Sequence, residues 1–300
     1  MLDLPSCLEP GDLVVANETR VLPARLLTRL ARTGRAVEVL LSHPQGAEWV
    51  AMLGPARRLR EGDLLELTET RGALRLVAPE GGGRWRLTAL DGSIEGLMER
   101  AGHIPLPHYL ERDDTPADRE WYQTVFAREA GAIAAPTAGL HFTPRLLAAL
   151  VDRGIECTRV LLHVGPGTFL PVRASSEDRH QVLAERYAVS AEAARAIAAS
   201  RARGGRVVAI GTTTVRALES AAARGDGAIA ECAGWTDLTI VPGHRFRAVD
   251  ALLTNFHLPR SSLLLLVSAF AERERVLRAY RHALDTGFRF YSYGDAMLIV

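Results

Sequence analysis

The pattern of hydrophobic residues changes about one third of the way along the chain, and this change limits the possible folds more than any other feature. Before Ser93, short β-rich runs are separated by tight turns, with no helical period between them. The runs are Leu13–Ala16, Val37–Leu41, Trp49–Leu53, Leu64–Leu67, Leu74–Val77 and Trp85–Leu90. Short strands at such regular spacing predict a small barrel or sandwich.

After Ser93 the sequence alternates between helical and strand-like segments. Thr143-Pro144 begins a helix that Gly154 ends, and Ser190 begins an alanine-rich helix, because these residues suit helix caps. Strand-like runs lie between the helices, at Thr158–Val164, Val207–Ile210 and Leu238–Val241. This alternation predicts an α/β layer with a partly parallel sheet, and therefore a second domain.

The composition excludes several kinds of chemistry. All 36 basic residues are arginine, so a Schiff base, a pyridoxal-phosphate anchor and a Walker phosphate loop are excluded. Cys7, Cys157 and Cys232 lack C-x-x-C spacing, so we expect no metal, iron–sulfur cluster or disulfide framework. The leucine-rich apolar run Leu263–Val267 is far shorter than the roughly 20 residues that span a bilayer. With no signal-peptide pattern at Met1, we expect a cytoplasmic protein without membrane contact.

The arginines are concentrated in two segments, although the formal net charge is only +1. Between Asn17 and Arg60 there are eight arginines and three glutamates, and between Ala191 and Arg216 five arginines and one glutamate. Each segment fits a solvated surface, and each also fits a contact with a phosphate backbone. Both interpretations stay open from the sequence.

Five polar segments that contain glycine or proline interrupt the second half of the chain. They are Pro136–Thr143, His163–Phe169, Gly211–Arg216, Thr254–Pro259 and Tyr291–Met297. Four of them directly follow or precede strand-like runs, which is where α/β sheets bind their ligands. The segments therefore predict one shared site.

Titratable side chains in these segments are the candidates for proton transfer. His141, His163 and His257 each lie in a turn bordered by glycine or proline, where an imidazole can exchange protons with a ligand. A lone histidine is more often structural, but three in similar contexts favour a shared pocket. Asp295 fits either a general base or a buried hydrogen-bond acceptor.

The start of one helix fits an anion. Gly211 is followed by Thr212 and Thr213, which would aim free N–H groups and hydroxyls at a carboxylate or phosphate, and Arg216 lies one turn further along the same face. An ordinary helix N-cap explains the same residues equally well.

Together these segments resemble, in their order, the S-adenosylmethionine:tRNA ribosyltransferase-isomerase family of queuosine biosynthesis. The resemblance extends from about Leu8 to Ile299. Besides the five segments, the matching stretches are Pro10–Val15, Asn17–Arg25, Gly102–Pro107, Tyr122–Val125 and Asp250–Leu252. So many ordered matches make chance similarity an inadequate explanation.

The resemblance implies a mixed α/β fold. A larger α/β barrel-like catalytic domain, residues 1–21 with 103–300, would hold an inserted small β-barrel domain, residues 22–102. It implies transfer and isomerisation of the ribosyl group of S-adenosylmethionine onto 7-aminomethyl-7-deazaguanine at the wobble position of tRNA. Epoxyqueuosine-tRNA, adenine and methionine would be the products. The partners implied are a tRNA with a GUN-type anticodon and S-adenosylmethionine as co-substrate, with no bound cofactor, no metal and a monomeric enzyme.

The resemblance also implies a set of site residues. Those assigned to catalysis are His141, His163, His257, Asp295 and Glu185. Those assigned to substrate binding are Asn17, Thr19, Arg20, Thr137, Gly139, Gly165, Gly167, Thr168, Gly211, Thr212, Thr213, Arg216, Asn255 and Tyr293. Both Arg216 and Asp295 are expected to face a ligand, so their replacement by alanine should lower turnover without unfolding the protein.

Three departures from the family pattern keep an alternative open. The family has several dozen further residues before the position of Pro10, which puts a strand or part of the pocket in question. The second histidine of the family's H-x-M-H-x-E-x-Y stretch is Leu183, and Trp235 replaces an acid before Thr236-Asp237. A catalytically silent tRNA-binding relative is therefore the second hypothesis. A methyltransferase is a weaker third, because the chain lacks a G-x-G-x-G opening.

Overall fold

The computed structural model describes residues 1–169 and 183–300, with the side chains of all of them except His108, Thr168 and Phe169. Two compact units are present. The larger unit comprises Met1–Arg20, Gln123–Glu129 and Ala135–Val300, and the smaller comprises Val21–Tyr122 and Ala130–Ala134. The domain boundaries expected from the family resemblance remain a prediction.

The described residues form strands and helices with the following bounds. The strands are β1 Leu13–Asn17, β2 Thr19–Val21, β3 Arg25–Leu30, β4 Ala36–Gln45, β5 Glu48–Gly54, β6 Leu64–Leu67, β7 Ala73–Gly81, β8 Arg84–Ala89, β9 Glu129–Ala132, β10 Glu156–Leu162, β11 Glu185–Val189, β12 Val207–Ile210, β13 Cys232–Thr236, β14 Ala251–Asn255 and β15 Ala296–Ile299. The helices are α1 Ile94–Ala101, α2 Asp118–Trp121, α3 Pro144–Asp152, α4 Ala191–Ala202, α5 Thr212–Arg224, α6 Ser262–Ala271 and α7 Arg273–Asp285. Single 3₁₀ turns cover Leu4–Cys7, His108–Leu110, Thr137–His141 and Pro166–Phe169.

The smaller unit contains a closed six-stranded barrel in the order β3-β4-β5-β8-β7-β6. Along β3, the alternate residues Leu26, Thr28 and Leu30 are buried, while Arg29 is exposed. This period of two turns one face of each strand toward the barrel interior. Of the two architectures predicted from the sequence, barrel or sandwich, the barrel is confirmed, and the predicted run Leu13–Ala16 lies outside it, in β1.

The larger unit contains a seven-stranded sheet in the order β13-β11-β10-β1-β12-β14-β15. The four central strands, β10, β1, β12 and β14, run parallel, while β11, β13 and β15 are antiparallel to their neighbours. With the barrel, this sheet confirms the mixed α/β fold class. The larger sheet is open, with β13 and β15 as its two edge strands. The closed barrel lies in the smaller unit.

Burial fixes the central strands firmly in place. All five residues of β1 and all five of β14 are buried. One face of the sheet forms a core with α3 and with neighbouring aromatic side chains. The residues of this core include Val14, Ala16, Phe126, Phe142, Leu146, Leu150, Val208, Ile210, Ala251 and Leu253. Polar groups at the ends of these strands therefore stand on a rigid base.

One strand prediction is wrong. Leu238–Val241 does not form a strand, and the edge strand is β13 instead. Side chains satisfy the backbone N–H and C=O of Leu238 in place of a neighbouring strand. Leu238 N donates to Thr236 Oγ1 (3.1 Å), and Leu238 O accepts from Arg216 Nε (2.9 Å). The chain thus leaves the sheet after Thr236.

Candidate functional site

The parallel strands bring four polar segments to one edge of the larger sheet. The carboxyl ends of β10, β1, β12 and β14 lie side by side in that order. Neighbouring strands are about 4.8 Å apart, so these four ends extend over roughly 14 Å. This edge is where a parallel α/β sheet binds a ligand.

Asn17, the last residue of β1, connects three of these segments. Its Nδ2 donates to Leu162 O (2.8 Å) and to Thr213 Oγ1 (3.2 Å). Its Oδ1 accepts from the backbone N–H groups of Leu162 and Thr19, each at 3.1 Å. The side chain is buried. Asn17 thereby fixes the ends of β1 and β10 against the first turn of α5.

His163 follows directly after β10 and is held by Thr19. The Thr19 hydroxyl and His163 Nδ1 share a hydrogen bond of 2.8 Å. Burial lowers the pKa of His163 below its ordinary value, and the charge of Arg186 lowers it further, while Glu129 opposes both. The imidazole is therefore neutral at pH 7 and able to accept a proton.

Asn255, the last residue of β14, joins two more of the predicted segments. Its Oδ1 accepts from the Thr137 hydroxyl (3.1 Å), and its Nδ2 donates to Tyr291 O (3.2 Å). The same Nδ2 lies 3.3 Å from His141 Nε2. Burial lowers the pKa of His141, partly offset by the negative charge of Asp295. Neutral His141 thus receives a hydrogen bond at Nε2, which leaves the ring proton on Nδ1.

The turn between β12 and α5 lies between the residues bound by Asn17 and those bound by Asn255. Thr213 contacts Asn17, and Gly211 contacts the strand that ends at Asn255. Gly211 N donates to Leu253 O (2.8 Å), and Gly211 has a φ of +85°, which favours glycine. A Cβ at Gly211 would lie 3.4 Å from the Cβ of Ala138, in the segment that carries His141. Thr212 is buried and begins α5, whose first turn contains no acidic residue. The helix start predicted from the sequence therefore lies at the same edge.

Glu185 and Arg216 form a buried ion pair, with side-chain exposures of 5% and 10%. Arg216 Nη1 donates to Glu185, Nε to Leu238 O and Nη2 to Thr236 O. The other carboxylate oxygen of Glu185 accepts from Gly165 N (2.7 Å). The sequence predicts that Arg216 faces an anion in solution, and the structure places it against a carboxylate of the same chain. Its geometry favours a role in positioning the His163–Gly167 loop.

The glycines of the predicted segments pack closely against neighbouring residues. A Cβ at Gly139 would lie 2.9 Å from Thr124 Cγ2, so only glycine fits there without movement. Gly167 lies beside Leu183, the residue that replaces the family's second histidine. The side chain of Thr168 lies outside the described part of the chain, as does His180 of the same family stretch.

Three further candidates lie at positions with different surroundings. Asp295 accepts from Arg289 N (2.7 Å), while its charge acts on His141. Tyr293 is 39% exposed. Arg20 is exposed on β2. Their assigned roles remain predictions.

His257 lies in the interior of the larger unit. Its Nε2 and the Thr254 hydroxyl share a hydrogen bond of 2.8 Å, and its backbone N–H donates to Tyr280 Oη (2.8 Å). Burial lowers the pKa of His257 to about 4 and raises that of Tyr280 to about 12. This environment favours a structural histidine, so its catalytic assignment remains a prediction that the geometry does not favour.

Acidification is expected to destabilise the protein through His257. The unfolded chain binds this proton near pH 6.5 and the folded chain near pH 4, so stability is complete above pH 6.5 and declines as the pH falls toward 4. The loss is roughly 3 kcal/mol at one pKa unit per 1.36 kcal/mol. Urea unfolding between pH 7 and pH 4 should show a shallower decline for His257→Gln than for the wild type. Replacing the exposed His282 with Gln should leave the slope unchanged, and equal slopes in all three proteins would contradict the assignment.

Sequence reasoning missed the residues that set the pKa of His163. Arg186 and Glu129 act on it with opposite signs, yet they are 23 and 34 positions away in sequence. No local pattern links either residue to His163.

Among the residues that the structure describes, no group of three or more His, Cys, Asp and Glu side chains is arranged to hold a metal ion. In the same residues, no helix is long and apolar enough to cross a membrane.

Comparison with known proteins agrees with this arrangement. The model of the queuosine biosynthesis protein family matches residues 1–299. An S-adenosylmethionine:tRNA ribosyltransferase-isomerase of Moorella thermoacetica is 54% identical over 99% of this chain and 87% of its own length. One from Anaeromyxobacter sp. is 56% identical over 99% of this chain and 86% of its own. The crystal structure of S-adenosylmethionine tRNA ribosyltransferase from Thermotoga maritima is similar, with a TM-score of 0.52, 34% identity, and coverage of 100% of this chain and 86% of that one. The chain therefore belongs to the queuosine biosynthesis protein family.

Proposed function

We propose that this chain is an S-adenosylmethionine:tRNA ribosyltransferase-isomerase, the activity for which its relatives are named. The ribosyl group of S-adenosylmethionine moves to the aminomethyl nitrogen of 7-aminomethyl-7-deazaguanine at the tRNA wobble position. Epoxyqueuosine remains in the tRNA, and adenine and methionine leave. The observation that carries the proposal is the shared edge of four parallel strands, where Thr19 holds His163 and Asn255 holds His141.

His163 is the proposed base. The sulfonium of S-adenosylmethionine acidifies the hydrogens on the adjacent C5′ carbon, so a neutral imidazole in a fixed position can remove one of them. In the proposed tautomer, Nδ1–H of His163 donates to the Thr19 hydroxyl, so Nε2 is unprotonated and receives the C5′ proton. Positioned proton transfer of this kind contributes about 10²–10⁴-fold to a rate.

His141 is the proposed hydrogen-bond donor to the leaving adenine. The Asn255 amide lies against its Nε2, so Nδ1–H faces the ligand side of the ring in our proposal. A protonated His141 would bring a second N–H toward the amide N–H of Asn255, which disfavours that form. His141 therefore assists departure as a neutral donor, while His163 accepts the C5′ proton.

The start of α5 is the proposed site for the methionyl carboxylate. Free backbone N–H groups and the positive end of the helix dipole favour an anion at this position. The first turn contains Thr212, Thr213 and Thr214 and no acidic residue, which supports this role. Thr214 Oγ1 donates to Ile210 O (2.7 Å), so Thr212 and Thr213 supply the hydroxyls nearest to the strand end.

The proposal also includes the partners and setting of the reaction. S-adenosylmethionine is a consumed substrate, with no resident cofactor required, and the tRNA carries a GUN-type anticodon. A monomer in the cytoplasm, where tRNA is found, is the proposed working form. Clusters of cysteine that radical enzymes need for an iron–sulfur centre are lacking in the sequence, whose three cysteines are widely spaced.

Purified protein with the precursor tRNA and S-adenosylmethionine is expected to release adenine and to form epoxyqueuosine in the tRNA. Adenine is measured by chromatography, and the modified nucleoside by mass spectrometry after digestion of the tRNA. tRNA without the aminomethyl group serves as the control and should release no adenine above background. Folded protein that binds the precursor tRNA without turnover would contradict the proposal and favour a silent tRNA-binding protein.

A further inference from the structure

One end of the barrel in the smaller unit carries an unusual concentration of arginine. At this end lie the turn between β3 and β4, residues 31–35, and the loop between β5 and β6, residues 55–63. Arg32 joins them, because its Nη2 donates to Arg58 O (2.6 Å) and its guanidinium pairs with Asp63 (2.9 Å). The Asp63 carboxylate also accepts from Arg60 N (2.9 Å). The two segments therefore form one connected surface.

Six arginines of this surface, all at least partly exposed, form what we call the arginine end of the barrel. They are Arg29, Arg32, Arg35, Arg57, Arg58 and Arg60. The two segments contain five of these arginines and two acids, Glu61 and Asp63, a formal charge of +3, while Arg29 lies beside them on β3, opposite Glu66 of β6. The neighbouring hairpin adds Glu80 and Arg84, which cancel. The turns at the opposite end, residues 45–48, 68–72 and 90–93, carry three acids and one arginine, a formal charge of −2.

Intramolecular ion pairs do not account for this charge. In residues 1–169 and 183–300, the side chains of Arg57 and Arg58 enter no ion pair, and Arg60 acts only on Asp63, which already pairs with Arg32. Arg29 and Arg35 each reach a backbone carbonyl, of Gly34 and Pro55 respectively. Like charges gathered at one end repel one another, so the arrangement favours an anionic partner.

The second arginine-rich segment provides a contrast. In that segment, Arg216 pairs with Glu185, Arg206 with Asp12 at 2.6 Å, and Arg203 with Glu156 at 2.9 Å. These three arginines thus form ion pairs within the larger unit. The two basic segments that the sequence could not distinguish therefore differ in structure. Three of the five arginines in the second pair with acids, which leaves Arg195 and Arg201 on α4, whereas Arg29, Arg35, Arg57, Arg58 and Arg60 of the first enter no ion pair in the described part of the chain.

The backbone holds the arginine end in a defined shape. Arg58 has a φ of +64°, a conformation that non-glycine residues seldom adopt. The Arg32 guanidinium holds the Arg58 carbonyl in this position and also anchors the loop through Asp63. Consequently Arg57, Arg58 and Arg60 project from a fixed loop, which lowers the entropy lost when they bind a ligand.

We propose that the arginine end of the barrel binds the phosphate backbone of the substrate tRNA. The choice of tRNA rests on the proposed function, whereas the anionic character of the partner rests on the charges above. Guanidinium groups bind phosphate oxygens in bidentate geometry, and each contact releases counterions from the RNA. The contacts are to backbone, so they supply affinity and orientation and read no base sequence.

The test is the triple variant Arg57→Gln, Arg58→Gln, Arg60→Gln, which removes three charges and leaves Arg32 and Asp63 in place. Binding of an unmodified tRNA transcript is measured by fluorescence anisotropy between about 50 and 200 mM salt, without S-adenosylmethionine. We expect Kd to rise about tenfold or more, and the slope of log Kd against log salt to fall by about two to three units.

A second triple variant provides the matched control. Arg71→Gln, Arg100→Gln, Arg278→Gln removes the same charge from exposed positions outside the arginine end and should leave Kd and the salt slope within about twofold of wild type. The proposal is overturned if both triples weaken binding equally, if neither does, or if wild-type protein does not bind tRNA. Wild-type protein that binds tRNA but releases no adenine would refute the proposed reaction. If, in the same experiments, the salt slope falls only in the Arg57, Arg58 and Arg60 variant, the arginine end is still supported as the tRNA-binding surface.

Discussion

Replacing Arg216 with alanine is expected to lower the free energy of unfolding by about 3–5 kcal/mol, because it leaves the Glu185 carboxylate buried without its counter-charge. The carbonyls of Leu238 and Thr236 also lose their donors. For a chain of this size the melting temperature should fall by about 10 °C. Urea titration and calorimetry at about pH 7.5 measure both quantities.

Two further variants separate the charge effect from general damage. Arg203→Ala removes a guanidinium from the exposed Arg203–Glu156 pair, with side-chain exposures of 47% and 58%, and should change stability by less than about 1 kcal/mol. Adding Glu185→Gln to Arg216→Gln removes both charges at once and should recover much of the loss, because the amide oxygen introduced by Glu185→Gln can still accept from Gly165 N. An unchanged unfolding free energy for Arg216→Ala, together with weaker substrate binding, would instead support the ligand-facing role expected from the sequence.

The fold was predictable where local pattern decides it. The run that became β8 alternates between apolar and polar residues, the wholly apolar run Trp49–Leu53 lies in β5, and Val207–Ile210 is β12 with the same bounds. The strand predicted at Leu238–Val241 failed because a side chain 22 positions away, on α5, satisfies its backbone. Periodicity within a short window contains no information about such a partner. The apolar character of a strand is local, whereas its place in a sheet depends on the whole chain.

The candidate site was predictable in its segments and not in its connections. Asn255 and Thr137 were both singled out, yet only the structure shows that their side chains are hydrogen-bonded across 118 positions of sequence. The opposite holds for Arg216, where a helix-start pattern suggested an anion and a distant Glu185 supplies the negative charge within the chain. A sequence indicates which side chains can bind an anion, and the fold decides whether that anion is a ligand or a neighbour.

Replacing His163 with alanine is expected to lower kcat for adenine release by about 10²–10⁴-fold, because the variant loses the imidazole that takes the C5′ proton. The KM for tRNA should stay within about threefold of wild type, since the imidazole acts at the ribose and contributes little to uniform binding. Thr19→Val removes the hydroxyl that orients the ring, so it should lower kcat by a smaller factor, about tenfold. The exposed His282→Ala is the control and should leave kcat unchanged.

The pH dependence of kcat/KM tests the same assignment in a second way. Because burial and Arg186 lower the pKa of His163, the wild-type rate should be level around pH 7 and fall only at more acidic pH, where the imidazole becomes protonated. Arg186→Gln removes a positive charge, so the pKa rises and the acidic limb moves to higher pH. Glu129→Gln removes a negative charge, so the limb moves to lower pH. If neither variant moves the limb, or both move it in one direction, another group is the base, since two opposite charges near one imidazole must shift its protonation in opposite directions.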